Sequence, residues 1–117
     1  MNIVGEIRYH LGDDYAVLRF SESRGAFSID TVMVPACHRN MGIGTILVNH
    51  IILLADSCHK EVCISVRPIG TFNEGKLQRL VAYYGRFDFE VLDRGQTIVY
   101  MIRRAKKRGG RLNRDYE

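Results

Sequence analysis

The segment Val34-Pro35-Ala36-Cys37-His38-Arg39-Asn40-Met41-Gly42-Ile43-Gly44-Thr45 separates two stretches of different hydrophobic period. Before it, residues 26–34 are rich in β-branched side chains and end at Pro35, the pattern of a strand. After it, Leu47, Ile51, Leu54 and Cys58 recur at helical spacing, as do Val48, Ile52 and Ala55. So wide an apolar face predicts a central helix buried on a sheet. Glycines at a strand-to-helix junction let successive backbone N–H groups turn toward one point. The helix N-terminus adds unpaired donors and the positive end of a dipole. Arg39 contributes a full charge on a forked donor. Together these features make a site for a phosphate or pyrophosphate. A plain tight turn is the competing reading of the same glycines.

Working outward, residues 3–9 alternate as a strand, residues 11–14 carry turn chemistry, and residues 15–20 read as a second strand. A second turn over 21–25 leads into the strand at 26–34, so the three form an antiparallel meander. Downstream of the helix, residues 61–66 alternate as a fourth strand that Pro68-Ile69-Gly70 breaks. Thr71-Phe72-Asn73-Glu74 fits a capping box, with Thr71 as the cap of a second helix whose apolar stripe is Leu77, Leu80, Val81 and Tyr84. Residues 87–92 and 97–102 predict a final hairpin around Asp93-Arg94-Gly95-Gln96. The order βββ-α-β-α-ββ implies one α/β (α+β) domain over residues 1–102. Its sheet is expected to be mixed and mostly antiparallel, with one parallel pair across the central β-α-β unit.

A chain of 117 residues, 46% hydrophobic, has room for one domain with one modest core. No apolar run approaches the roughly 20 residues of a membrane span. The first residues lack the basic and apolar regions of a signal peptide, so a cytoplasmic location is expected. Three cysteines at irregular spacing are no disulfide framework. Neither Cys37-His38 nor Cys58-His59 has zinc-site spacing, so free thiols and no metal are expected. Residues 103–117 hold 7 of the 17 Lys and Arg and 2 of the 13 acids, so this segment carries +5 and the rest −1. The basic balance thus describes a tail, read as a solvated end or as an electrostatic contact for nucleic acid or an acidic protein.

The loop over 39–45 is no nucleotide P-loop, because Gly-Lys-Ser/Thr is absent. Nor is it a dinucleotide fingerprint: Leu47 stands where the third glycine would be. It resembles the coenzyme A motif of the GNAT N-acetyltransferase superfamily, a strand ending in V-x-P followed by R/Q-x-x-G-x-G/A opening a helix. Arg39, Gly42 and Gly44 occupy the defining positions, and Val34, Pro35 and Leu47 match the flanks. A second block resembles the family's Asn near a helix start followed by Y-x-x-x-G-F. Asn73 stands near the helix start, Tyr84 follows eleven residues later, and Asp88 replaces the glycine before Phe89. The resemblance covers residues 26–102. It is that of a small, reduced member of the phage and bacterial type, lacking the N-terminal helices that usually wall the acceptor pocket. Ser28-Ile29-Asp30 and Asp88-Phe89-Glu90 are similar to segments of a reduced type that acetylates a lysine on a CRISPR effector.

The resemblance implies an enzyme that transfers acetyl from acetyl-coenzyme A to an amine, here most simply a protein lysine. Val32, Val34, Arg39, Asn40, Met41, Gly42, Ile43, Gly44, Thr45 and Asn73 would bind acetyl-coenzyme A. Tyr84 would protonate the departing thiolate; its bland reading is a core aromatic on the helix stripe. An amine near pKa ~10.4 must lose a proton before it attacks, and Asp30 on the third strand is the first choice of base. His38 in the loop has a suitable ordinary pKa of about 6.5, but a surface or phosphate contact suits its position better. Two other readings stand beside this one: a GNAT-fold binding module that no longer catalyses, and an acetyltransferase acting on charged transfer RNA through the basic tail.

Overall fold

The computed structural model of the chain describes residues 3–105. Among these residues six strands and two α-helices follow the expected order: β1 (Ile3–Leu11), β2 (Asp14–Ser23), β3 (Ala26–Met33), α1 (Ile43–Ser57), β4 (Glu61–Val66), α2 (Glu74–Gly85), β5 (Glu90–Arg94) and β6 (Val99–Arg103). They form one sheet of order β1-β2-β3-β4-β6-β5. Among the described residues only β3 and β4, joined through α1, run parallel; the other pairings are antiparallel.

Strand alternation decides what the sheet buries. Ala16, Leu18, Phe27, Ile29, Val62, Ile64, Val66, Val99 and Met101 share one face and form one core with Leu47, Val48, Ile51, Ile52 and Ala55 of α1, Leu77 of α2, and Phe89. Each large side chain buried there contributes about 1.5–3 kcal/mol. The alternate residues carry polar contacts on the other face. Glu6 bonds both Arg8 and Arg19, at 2.9 and 2.8 Å, and the Ser21 hydroxyl donates to Asp30 at 2.7 Å. Among the described residues, both helices pack on the first face.

Three local expectations are corrected. The cap of α2 is Asn73, not Thr71: its side chain accepts from the Lys76 N–H at 3.0 Å. Asn73 sits one residue before the first helical turn, where an Asx side chain reaches the donor three residues on. The last hairpin is shifted toward the C-terminus. Residues 87–89 bond back to Tyr84 and Gly85 as the exit of α2, and the turn is closed by Gly95 N–H donating to the Ile98 carbonyl at 2.8 Å. Arg103, placed by sequence at the head of the basic tail, is the last residue of β6 and only 6% exposed. Its guanidinium grips both Asp56 oxygens at 2.7 and 3.2 Å, and its Nε donates to the Phe87 carbonyl at 2.8 Å. A guanidinium fork can satisfy a carboxylate and a carbonyl at once, which makes burial of its charge tolerable. The remaining tail, residues 106–117, lies outside the described residues.

Candidate functional site

The site begins with a fault in the sheet. In β3, Thr31 pairs with Arg19 and Ile29 with Phe20, so Asp30 is the extra residue of a β-bulge. A bulge bends its strand and raises the local twist. The β3–β4 ladder runs from Ala26↔Glu61 to Ile29↔Ile64 and stops there. Beyond that point β4 stays with β6 through Ser65↔Tyr100 and Val66↔Val99. The stretch of β3 from Asp30 to Met33 therefore has no strand partner on its β4 side among the described residues. The two parallel strands open like a V, and α1 starts just past the end of the open strand.

Between β3 and α1 the chain makes a single 3₁₀ turn, Ala36–His38, and then the glycine loop. Asn40 and Gly42 are left-handed, at φ 65° and 80°. Such residues curl a backbone so that its N–H groups face inward, a concavity suited to anions. Gly42 is the N-cap of α1 and has no side chain to cap it; no acidic residue stands in the first turn. The first N–H groups of the helix thus have no side-chain cap among the described residues. Arg39 Nε donates to the Val34 carbonyl at 3.0 Å, which ties the arginine to the strand end. Its terminal nitrogens make no hydrogen bond or ion pair among the described residues, so the fork keeps donors for an anion.

Loop and open strand line one cavity of about 430 Å³, with Val32, Val34, Arg39, Asn40, Gly42, Ile43, Gly44 and Thr45 in its wall. Eight of the ten residues expected to bind the cofactor are thus together. Met41 and Asn73 are not in the wall: Met41 is 65% exposed, and Asn73 caps α2. Four further residues join it: Met33, His38, Ile69 and Tyr83. Tyr83 carries no signal of its own in the sequence, because its neighbour Tyr84 fits both the family pattern and the helix stripe. The Tyr83 and Thr45 hydroxyls are 2.9 Å apart.

Tyr84 and Asp30 lie elsewhere. The Tyr84 ring packs against Tyr83, Phe87 and Phe89, with centroids at 5.0, 6.5 and 5.8 Å. Burial, assisted by the neighbouring Tyr83, pushes its phenol up to about 12, so the group stays protonated through the ordinary pH range. Asp88, in the position the family gives to glycine, has φ 72°, the left-handed conformation that glycine adopts most easily. Asp30 lines a second cavity, of about 330 Å³, with Ser28, Cys63, Ser65, Asp93 and Tyr100 among its neighbours. This cavity opens on the other face of the sheet, where β3 and β4 part. Burial raises the Cys63 thiol there, which keeps it neutral and a poor nucleophile.

No family model and no curated protein sequence matches the chain. Solved structures do. The anti-CRISPR protein AcrVA5 superposes with a TM-score of 0.60 at 19% identity, over 82% of this chain and 97% of that one. An acyl-CoA N-acyltransferase from Pseudomonas aeruginosa gives 0.69 at 20% identity, over 86% and 67%. The PaiA N-acetyltransferase from Thermoplasma acidophilum, solved in complex with coenzyme A, gives 0.70 at 10% identity, over 86% of this chain and 60% of that one. These likenesses are of fold: the chain has the fold of the GNAT N-acetyltransferases.

Proposed function

We propose that the chain binds acetyl-coenzyme A and transfers its acetyl group to a primary amine, with a protein lysine as the acceptor. The observation that carries this reading is the single cavity in which an unpaired strand edge, an uncapped helix N-terminus and Arg39 meet. A diphosphate suits the loop over 39–45, where backbone N–H groups and the arginine fork supply donors at the positive end of α1. An amide-bearing pantetheine arm suits the open edge of β3, which offers unpaired backbone groups as a neighbouring strand would. This path leads the thioester to the bulge at Asp30.

The second cavity meets the same opening from the other face and suits the acceptor. Asp30 and Asp93 in its wall attract an ammonium group, and Asp30 is the base that removes its proton before attack. The amine nitrogen then bonds to the acetyl carbon, the C–S bond breaks, and the thiolate takes a proton. The resemblance, not the cavity lining, names Tyr84 as the donor in this scheme: burial holds it neutral, and its ring adjoins that of Tyr83 in the cavity wall, with centroids 5.0 Å apart; unpaired backbone N–H groups of β3 stabilise the charge on the carbonyl oxygen.

A lysine on a protein surface brings its own orientation through contacts away from the reacting amine. A free polyamine would find few walls on the polar outer face of the sheet to orient it. Calorimetry with coenzyme A tests the binding, and labelled acetyl-coenzyme A with cell protein or with polyamines tests the transfer. Saturable binding and labelled protein lysine are expected. Absence of coenzyme binding ends the reading, and binding without transfer to any amine reduces it to a binding module.

A further inference from the structure

We propose that Tyr83 fixes the selectivity of the cavity for the diphosphate half of its ligand, acting through the hydroxyl of Thr45. The proposal rests on the coenzyme reading above. Thr45 and Tyr83 are 38 residues apart in the chain, on the first turn of α1 and the last turn of α2. Their hydroxyls meet at 2.9 Å, and both residues line the cavity at the phosphate loop.

A threonine hydroxyl deep in a helix ordinarily returns its proton to a carbonyl of the preceding turn, but Thr45 lies in the first turn of α1, where no helical turn precedes it. Here the hydroxyl is held by the phenol. A hydroxyl gives one proton and accepts two. A phenol O–H is a stronger donor than an aliphatic alcohol O–H, because the ring spreads the charge left on its oxygen. When Tyr83 donates to Thr45, the threonine proton is left for an anion at the helix end. The chain Tyr83 O–H to Thr45 O–H to phosphate oxygen then polarises along its length, so the phenol strengthens a bond it does not itself make.

The phenol is well fixed for this role. Its ring stands edge-on to Tyr84 and Phe87, with centroids at 5.0 and 5.3 Å, and the Arg86 guanidinium lies 5.8 Å from the ring centroid. A second measure places the hydroxyl beside the ligand path: a Cβ added to Gly44 would lie 3.9 Å from the Tyr83 oxygen. A group approaching the backbone of Gly44 therefore passes this hydroxyl. Tyr83 is a positioning residue in this arrangement, and Thr45 is the residue that touches the anion.

The test compares coenzyme A with pantetheine, which keeps the thiol arm and lacks the diphosphate. Affinities are measured by calorimetry for coenzyme A and by NMR titration in the millimolar range for pantetheine, with thermal melts confirming that each variant folds. Tyr83→Phe keeps the ring and its packing. It is expected to weaken coenzyme A about tenfold, the scale of one hydrogen bond to a charged group, and to leave pantetheine unchanged. Thr45→Val weakens coenzyme A at least as much, Thr45→Ser restores it, and the double variant binds no worse than Thr45→Val alone. Wild-type affinity in Tyr83→Phe, equal losses for both ligands, or additive losses in the double variant would overturn the role of Tyr83. If the wild-type protein binds no coenzyme A, the proposed function falls first and this inference with it.

Discussion

Alanine at Gly42 and at Gly44 makes opposite demands on the same loop. At Gly42 a Cβ would meet nothing within 4 Å, so sterics with neighbours cost nothing. The cost is in the backbone: φ is +80°, where an L side chain is disfavoured by about 1–2 kcal/mol. The alanine either bears that strain or relaxes to negative φ and undoes the curl of the loop. The expected result is a melting temperature lower by roughly 5–15 °C, from about 4–8 °C per kcal/mol in a domain near 100 residues. Coenzyme A affinity falls at least about tenfold as a charge-assisted N–H bond is misdirected. At Gly44 the backbone is ordinary, and a Cβ would find Tyr83 Oη at 3.9 Å and Val34 Cγ2 at 4.0 Å, normal contact distances. Alanine there recovers up to ~1 kcal/mol of helix propensity. The melting temperature should rise by a few degrees with coenzyme binding retained, whereas Gly44→Glu places a carboxylate against the anion and abolishes binding. Thermal melts and calorimetry read both quantities. A Gly42→Ala protein with wild-type stability and affinity, or a Gly44→Ala protein that melts lower, would refute the assignment of loop geometry.

Three further outcomes are expected. Tyr84→Phe lowers turnover by about 10²–10⁴-fold with coenzyme A affinity little changed, read from steady-state kinetics and calorimetry. Because the folded phenol is raised to about 12 against an unfolded value near 10, its stabilisation is complete below pH ~10 and lost as pH climbs toward 12; melts across that window should fall less steeply for Tyr84→Phe than for wild type. Arg103→Met removes the clamp on Asp56 and the Phe87 carbonyl and costs about 2–4 kcal/mol by urea unfolding, below the value for a fully buried pair because the Asp56 side chain is 26% exposed. Removing residues 106–117 should slow acetylation of a protein acceptor and flatten its salt dependence, while acetyl-coenzyme A binding stays intact.

The order of strands and helices, most of the buried face of α1 and the glycine loop before it were legible in the chain, because each is written in neighbouring residues; Leu54 and Cys58, expected on the buried face of α1, are exposed instead. Alternation in residues 61–66 and helical spacing from Leu47 to Ala55 are local patterns with one physical reading each. The same locality explains the near misses. Thr71 and Asn73 are both good caps two residues apart, and only the packed path of the chain leaving β4 chooses Asn73. Arg103 opens a run of basic residues and reads as tail, because its partners Asp56 and Phe87 are 47 and 16 residues away.

The placing of the candidate site needed the tertiary structure. Tyr83 and Tyr84 are adjacent on α2 and both rings touch Phe87, but the Tyr83 hydroxyl meets Thr45 while the Tyr84 ring packs on Phe89. A family pattern points to the second; only the position of α2 against α1 shows that the first lines the cavity. The bulge at Asp30 and the opening beyond Ile29↔Ile64 are likewise registers between strands, and no single strand encodes its register with another. The sequence by itself determined the elements and the chemistry of the loop, since propensity, period and glycine geometry act over a few residues. Which residues face one another across the cavity was decided only when the sheet, its bulge and the two helices packed around a common core.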